Sequence, residues 1–252
     1  MRLPLAVIDL GHRPYAPVLE LQRALCRARG EGLIDQDILL LVEHDPVMTL
    51  GRSTKPSSLP VPIADLPAHG VEVFEVERGG DVTFHGPGQL VGYPIVDLQR
   101  LTPDLHWYLR ELEGGLIDAL ATLGIPGQRS QGQTGVWVGS RKIASIGVHV
   151  KKWITFHGFA LNITTDLKYF DLIVPCGIDG VEITSIEREL GEVAQGDEEG
   201  VGRSRDKSSA LWDRTQKAVI DAFGARFERE VTVTTLDEVA GNIPEAMGVL
   251  SA

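Results

Sequence analysis

Cys176 stands in the run V-P-C-G-I (174–178), between a proline that stiffens one side of a turn and a glycine that frees the other. A thiol presented on such a turn is open to substrate and can be tuned, which suits nucleophilic catalysis by the thiolate. A small residue packed inside a loop fits the same five letters, and the spacing does not separate the two. The other cysteine, Cys26, shares a helical face with Val18, Leu21 and Leu25 and reads as core. A thiolate needs a nearby positive charge or base. Lys142 opens the strand-like run K-I-A-S-I-G-V directly after a turn; turned into a partly dry pocket it would pair with a thiolate and later exchange a proton. The commoner fate of a strand-end lysine is solvation. His44, His85, His149 and His157 are further candidates, but no pair has the i, i+4 helical spacing of a metal site, so no metal or other cofactor is expected.

A second concentration of chemistry is R-G-G-D-V-T-F-H-G-P-G-Q-L (78–90). Its glycines permit positive φ or close backbone approach, Val82-Thr83-Phe84 favour an extended segment, and Arg78 and His85 supply a fixed cation and a titratable ring. Two ordinary turns around a strand would look alike. G-x-G-x-x-G and G-x-x-x-x-G-K-[ST] are both absent, so neither dinucleotide binding nor a P-loop is indicated.

The elements that would hold these residues follow from periodicity. A strand is expected at 7–10, a helix from Pro14 to about Arg29, a buried strand at 37–43, a loop over 53–70, and strands at 71–77 and 89–98. Pro94 marks the last of these as an edge or bulged strand. A helix from about Pro103 to Leu123, capped by Thr102, carries a leucine stripe, and Gly114-Gly115 at its centre implies close packing. A hairpin over 136–150, a strand over 153–163, an ambiguous stretch at 181–190, a helix at 209–223 and a strand at 228–234 follow. Residues 191–209 are polar and glycine-rich and read as a mobile surface loop; 236–252 read as a tail on a catalytic domain spanning 1–235. Strands outnumber helices and several are hairpin-linked, which predicts an α+β fold with helices on one side of a sheet.

The 43% hydrophobic and 23% charged content belongs to a soluble globular chain, and 252 residues suffice for a sizeable core. A net charge of −11 argues against nucleic-acid or anionic-membrane partners. No apolar run reaches membrane-spanning length, and M-R-L-P-L-A-V-I-D-L meets Asp9 too early for a signal region, so a cytoplasmic protein is expected.

Five segments occur together and in order: E-H-D-P-V-M-T-L-G-R (43–52), the 78–90 segment, G-x-x-x-x-x-R-K-I-A-S-I-G-V (135–148), H-G-F-A-L-N (157–162) and V-P-C-G-I (174–178). Together they closely resemble the octanoyltransferase family, also called lipoate-protein ligase B, over roughly residues 5–190. The resemblance implies the biotin/lipoate protein ligase catalytic fold, a mixed sheet flanked by helices. It implies transfer of an octanoyl group from octanoyl-acyl carrier protein to a lysine of lipoyl domains, those of 2-oxoacid dehydrogenase complexes and the glycine cleavage H protein. This would be the first step of endogenous lipoylation.

By position, Cys176 matches the family's acyl-thioester nucleophile and Lys142 the lysine that lowers its pKa. The substrate-binding stretches correspond to Arg78, Gly79, Gly80, Asp81, Val82, Thr83, Phe84 and His85; to Ser145, Ile146 and Gly147; and to Gly158, Phe159 and Ala160. Phe84 and Asp81 depart from the family's usual tyrosine and glutamine. An ATP-dependent lipoate or biotin ligase on the same fold is the main alternative, and a non-catalytic acyl- or protein-binding module or a cysteine hydrolase are others. An acidic chain serving acidic partners calls for a local cationic rim, with Arg52, Arg141, Lys151 and Lys152 as candidates.

Overall fold

The computed structural model describes residues 3–174, 180–194 and 205–249. Eleven strands and six helices are assigned among them: β1 Leu3–Arg13, α1 Tyr15–Gly30, β2 Asp37–His44, β3 Val47–Leu50, β4 Glu72–Glu75, β5 Val82–His85, β6 Gln89–Ile95, α2 Leu105–Thr122, β7 Gln128–Ser130, β8 Gln133–Val138, β9 Arg141–Lys151, β10 Ile154–Asn162, α3 Ile186–Ala194, α4 Arg205–Arg226, β11 Arg229–Val233, α5 Leu236–Ala240 and α6 Pro244–Gly248. Eight strands form a mixed sheet in the order β11-β1-β2-β6-β10-β9-β8-β7, and β4-β3-β5 form a separate small sheet.

Both faces of the large sheet are covered, not one. The alternation of side chains along a strand sends Leu5, Val7, Leu39 and Leu41 to one face, where Leu112 and Leu116 of α2 and Val219 and Phe223 of α4 meet them. It sends Ala6, Ile8, Ile38 and Leu40 to the other, against Val18, Leu21 and Leu25 of α1. The expected tail joins this second layer: α5 and α6 bury Leu236, Ala240 and Ala246 there. Of the expected loop at 191–209, helices take 191–194 and 205–209, while 195–204 lie outside the described residues. No helix of the described residues is long and apolar enough to cross a membrane.

Two local expectations change and one holds. The cap of α2 is Asp104, whose carboxylate accepts from the N–H groups of His106 and Trp107 at 2.7 and 3.1 Å; Pro103 precedes it. Gly115 keeps close helix packing, since a Cβ there would lie 2.9 Å from the Phe223 ring. Pro94 sits in the middle of the sheet. It is tolerated because β10 pairs with β6 only at 159–162 and bends away beside it, Thr155 Oγ1 donating to the Pro94 carbonyl at 2.7 Å.

Beneath the sheet's far end, Asp37 accepts from Arg229 Nε at 2.8 Å, Arg29 Nη2 at 3.2 Å and the Asp97 N–H at 3.1 Å, all buried. It thus joins β2 to α1 and to the start of β11. Asp37→Asn removes the counter-charge of buried Arg229 and the nearer one of Arg29, which keeps Asp97 at 3.8 Å, and we expect it to lower unfolding stability by about 3–5 kcal/mol in urea titration; a loss under about 1 kcal/mol would contradict this account.

Candidate active site

Between the two sheets lies a cavity of about 340 Å³, in the range of pockets that enclose small ligands. Backbone forms much of its wall. The N–H of Gly79 donates to the carbonyl of Val148 at 2.9 Å, hooking the glycine-rich segment onto β9. A Cβ on Gly147 would lie 2.9 Å from the Gly79 carbonyl oxygen, and one on Gly158 would lie 2.1 Å from the Gly92 carbonyl oxygen. These glycines are therefore places where main chains touch. The buried Arg78 guanidinium fixes the small sheet: Nη2 donates to the Thr49 carbonyl at 2.6 Å and Nε to Thr49 Oγ1 at 3.1 Å.

The cavity brings together most of the residues singled out from sequence: Arg78, Gly80 through Thr83, His85, Lys142, Ser145 to Gly147 and Gly158 to Ala160. Two of that set are not among its lining residues. Gly79 serves as the backbone hook, and the ring of Phe84 belongs to an apolar cluster, stacked 4.6 Å from Tyr169. Along β5, Thr83 and His85 share one face and Val82 and Phe84 the other; Val82 touches both the cavity and the apolar cluster, while the Phe84 ring is taken up by the cluster.

Lys142 is 2% exposed, so it is not a solvated strand-end lysine. Its Nζ lies 5.1 Å from the centre of the Trp137 ring. The stem is accommodated because residue 135 is glycine at φ +137; a Cβ there would come within 2.8 Å of Lys142 Cε. Its backbone N–H donates to the Glu182 carbonyl at 2.8 Å, and its carbonyl accepts from Thr184 at 2.9 Å.

Cys176 lies outside the described residues, as do 175–179. Both flanks are placed. Upstream, the Val174 N–H donates to the Ser58 carbonyl at 2.9 Å, and Ser58 Oγ donates to Asp81 Oδ2 at 2.6 Å. Downstream, residues 182–184 run beside Lys142. Val174 is thus linked through Ser58 to the lining residue Asp81, and residues 182–184 are bonded to the lining residue Lys142.

Sequence reasoning missed the polar network behind His85. Gln89 Nε2 donates to the Asn162 carbonyl oxygen at 2.9 Å and to the Phe84 carbonyl, so its Oε1 accepts from His85 Nδ1 at 2.9 Å. The neutral ring therefore keeps Nε2 as an acceptor. Asn162 Nδ2 donates in turn to the Thr184 carbonyl at 3.0 Å. The signal was available as a polar residue ending each motif, G-P-G-Q and F-A-L-N. His44 is fixed similarly: Nδ1 donates to the Arg13 carbonyl at 2.8 Å, and Nε2 accepts from the Tyr93 hydroxyl at 2.9 Å.

Tyr15 and Tyr93 line the cavity unforeseen, and the candidate His157 lines it too. His157 stands at φ 55 within β10, its N–H turned out of the ladder to Gln22 Oε1 at 2.9 Å. Its Nε2 faces Glu77 at 3.8 Å with no hydrogen-bond partner among the described residues.

Burial is the main cause pushing His44 down to about 4 and His85 down to about 3, with the Arg13 carbonyl and Gln89 respectively opposing it in part. His157 is lowered chiefly by burial too, while Glu77 is held well below the carboxylate range by His157 and by the paired bonds from Arg23. Burial raises the Tyr15 and Tyr93 hydroxyls far above their usual range. At neutral pH the polar floor of the cavity is therefore uncharged.

The expected cationic rim divides. Arg52, Lys151 and Lys152 line a second cavity of about 550 Å³, whereas Arg141 pairs two-pronged with Glu189 at 2.9 and 2.6 Å.

Residues 14–199 match the family model described as the lipoyl protein ligase A/B catalytic domain. Among curated proteins, the chain is 51% identical over 191 residues to an octanoyltransferase of Koribacter versatilis, covering 74% of this chain and 76% of that protein. It is 54% identical over 183 residues to an octanoyltransferase of Rubrobacter xylanophilus, covering 72% and 81%. In fold it resembles a bipartite lipoate protein ligase from Thermoplasma acidophilum, with TM-score 0.66 and 17% identity over 100% of this chain and 92% of that one. It also resembles a lipoate-protein ligase A bound with ATP, with TM-score 0.65 and 15% identity over 100% and 95%.

Both buried histidines have folded pKa values below the unfolded value near 6.5, so the unfolded state takes up more protons as pH falls. Stability is full above about pH 6.5 and falls toward pH 4, each group adding a slope of up to about 1.4 kcal/mol per pH unit. Urea titrations at pH 7 and pH 5 read this loss. His44→Gln should flatten the slope; an unchanged slope would show that His44 does not carry it.

Proposed function

Because the chain belongs to the octanoyltransferases of the lipoyl protein ligase A/B family, we propose that it moves an octanoyl group from octanoyl-acyl carrier protein to a lysine of a lipoyl domain, by way of a thioester on Cys176. The observation that carries the reading is the buried Lys142 in the wall of the cavity, with residues 182–184, downstream of Cys176, bonded to its backbone. The acceptors are lipoyl domains of 2-oxoacid dehydrogenase complexes and of the glycine cleavage H protein. Arg78, Gly79, Gly80, Asp81, Val82, Thr83, Phe84 and His85, with Ser145 to Gly147 and Gly158 to Ala160, form or support the acyl-binding walls.

In the first half-reaction the Cys176 thiolate, favoured by the Lys142 ammonium, attacks the octanoyl carbonyl. The carbon–sulfur bond to the carrier breaks as the bond to Cys176 forms, and the departing carrier thiolate takes its proton from Lys142. In the second, the neutral acceptor amine attacks the Cys176 thioester. Lys142 receives the amine's proton, the amide forms, and the Cys176 thiolate is regenerated. A dry cavity favours both steps, because it strengthens the thiolate–ammonium attraction and keeps water from the thioester. Burial of the acyl chain contributes about 0.8 kcal/mol per CH2, so cavity depth sets the preferred chain length.

The test is intact-protein mass after incubation with octanoyl-acyl carrier protein. One octanoyl group should be gained, lost on adding a lipoyl domain, and absent in Cys176→Ala. Lys142→Ala should slow acyl-enzyme formation by about 10²–10⁴-fold. Transfer that needs free octanoate and ATP would replace this reading with a ligase.

A further inference from the structure

The second cavity adjoins the first through a wall one pair of side chains thick. Glu77 and His149 line its inner side, and His157, 3.8 Å from Glu77, faces the acyl cavity. On a chain of net charge −11, this hollow gathers Arg23, Arg27, Arg52, Lys151 and Lys152. Arg23 is matched by Glu77 and Glu20, and Arg27 by Glu245. Arg52, Lys151 and Lys152 have no carboxylate within ion-pair distance among the described residues. The backbone places Arg52 against the acyl cavity's own frame, its N–H donating to the Arg78 carbonyl at 3.1 Å.

Lys152 is held there at a cost. The β9–β10 hairpin turns through Lys152 at φ 51 and Trp153 at φ 67, positions where Asn-Gly would relieve the backbone. The Leu98 N–H locks the turn by donating to the Trp153 carbonyl at 2.9 Å. Strain kept at an exposed turn, in a residue that ends in an ammonium group, fits a constraint from a ligand better than one from folding.

We infer that this cavity seats the phosphodiester of the acyl donor's prosthetic arm, Arg52, Lys151 and Lys152 taking the phosphate while the thioester end passes over the Glu77–His157 wall into the acyl cavity. Exposed, unmatched cations gathered around one hollow suit a compact, doubly coordinated anion, whereas a flat acidic protein face needs no hollow. The inference rests on the thioester donor proposed above.

The experiment compares two small donors with the full chain at low salt: S-octanoyl pantetheine and S-octanoyl 4′-phosphopantetheine. Acyl-enzyme formation is read by mass. The phosphorylated donor should have kcat/KM about tenfold higher or more, a difference that shrinks with added salt. In Arg52→Ala/Lys151→Ala/Lys152→Ala the ratio of the two donors should fall toward one. Lys152→Gly suits the positive φ, so it should raise Tm by about 2–4 °C while lowering the same ratio, a combination that a purely structural lysine does not give. Equal rates for both donors in the wild-type chain would overturn the inference while leaving the transferase reading intact. So would a triple variant slowed only in transfer from the acyl-enzyme to the acceptor, which would assign the cavity to the lipoyl domain. Failure of both donors and of the carrier protein to acylate the chain would remove the donor reading and this inference with it.

Discussion

The site depends on one cation buried between two sheets. Arg78 spends its donors on Thr49 of the small sheet and on the carbonyl of Gly79, the residue whose N–H is bonded to β9 of the large one. A guanidinium taken out of water must have its donors satisfied. Satisfying them requires the small sheet and the glycine-rich segment to stand in one relation. That relation leaves the gap that becomes the cavity. Glycine at 51, where a Cβ would press 2.7 Å from Arg78 Nη1, belongs to the same constraint.

The cavity's polarity follows from its burial. Histidines 44, 85 and 157 and tyrosines 15 and 93 are packed too deeply to carry charge at neutral pH. His44 and His85 act as oriented hydrogen-bond groups, their directions set by the Arg13 carbonyl and the Gln89 amide behind them. The remaining ionisable side chains among the described lining residues are Arg78, Asp81 and Lys142. Such an arrangement is suited to an apolar acyl chain with a single polar carbonyl at its reacting end.

Much of this was legible from residue order. The apolar periodicities located α1, α2 and α4, because each of those helices is buried along a stripe. The motifs carried the cavity's lining, because the backbone there needs glycine at fixed places. What was not legible came from long-range geometry. Nothing local tells that β4-β3-β5 separate into their own sheet, or that Pro94 is central, since the departure of β10 that admits it lies sixty residues away. The pairing of Arg141 with Glu189, 48 residues on, likewise removed it from the cationic group to which its charge had assigned it. The placing of Phe84 outside the cavity follows from its stacking on Tyr169 and its edge contact with Phe170, residues some 85 positions on.

The meeting of Gly158 with the Gly92 carbonyl, and of Gly147 with the Gly79 carbonyl, bears on how such a pocket changes over evolutionary time. Where main chain meets main chain, no substitution can widen the wall, because there is no side chain to shorten; any substitution can only force it apart. Descendants of this chain are therefore free to alter acyl preference through the side chains around the cavity, but the narrow waist defined by the glycine pairs is inherited as a fixed dimension.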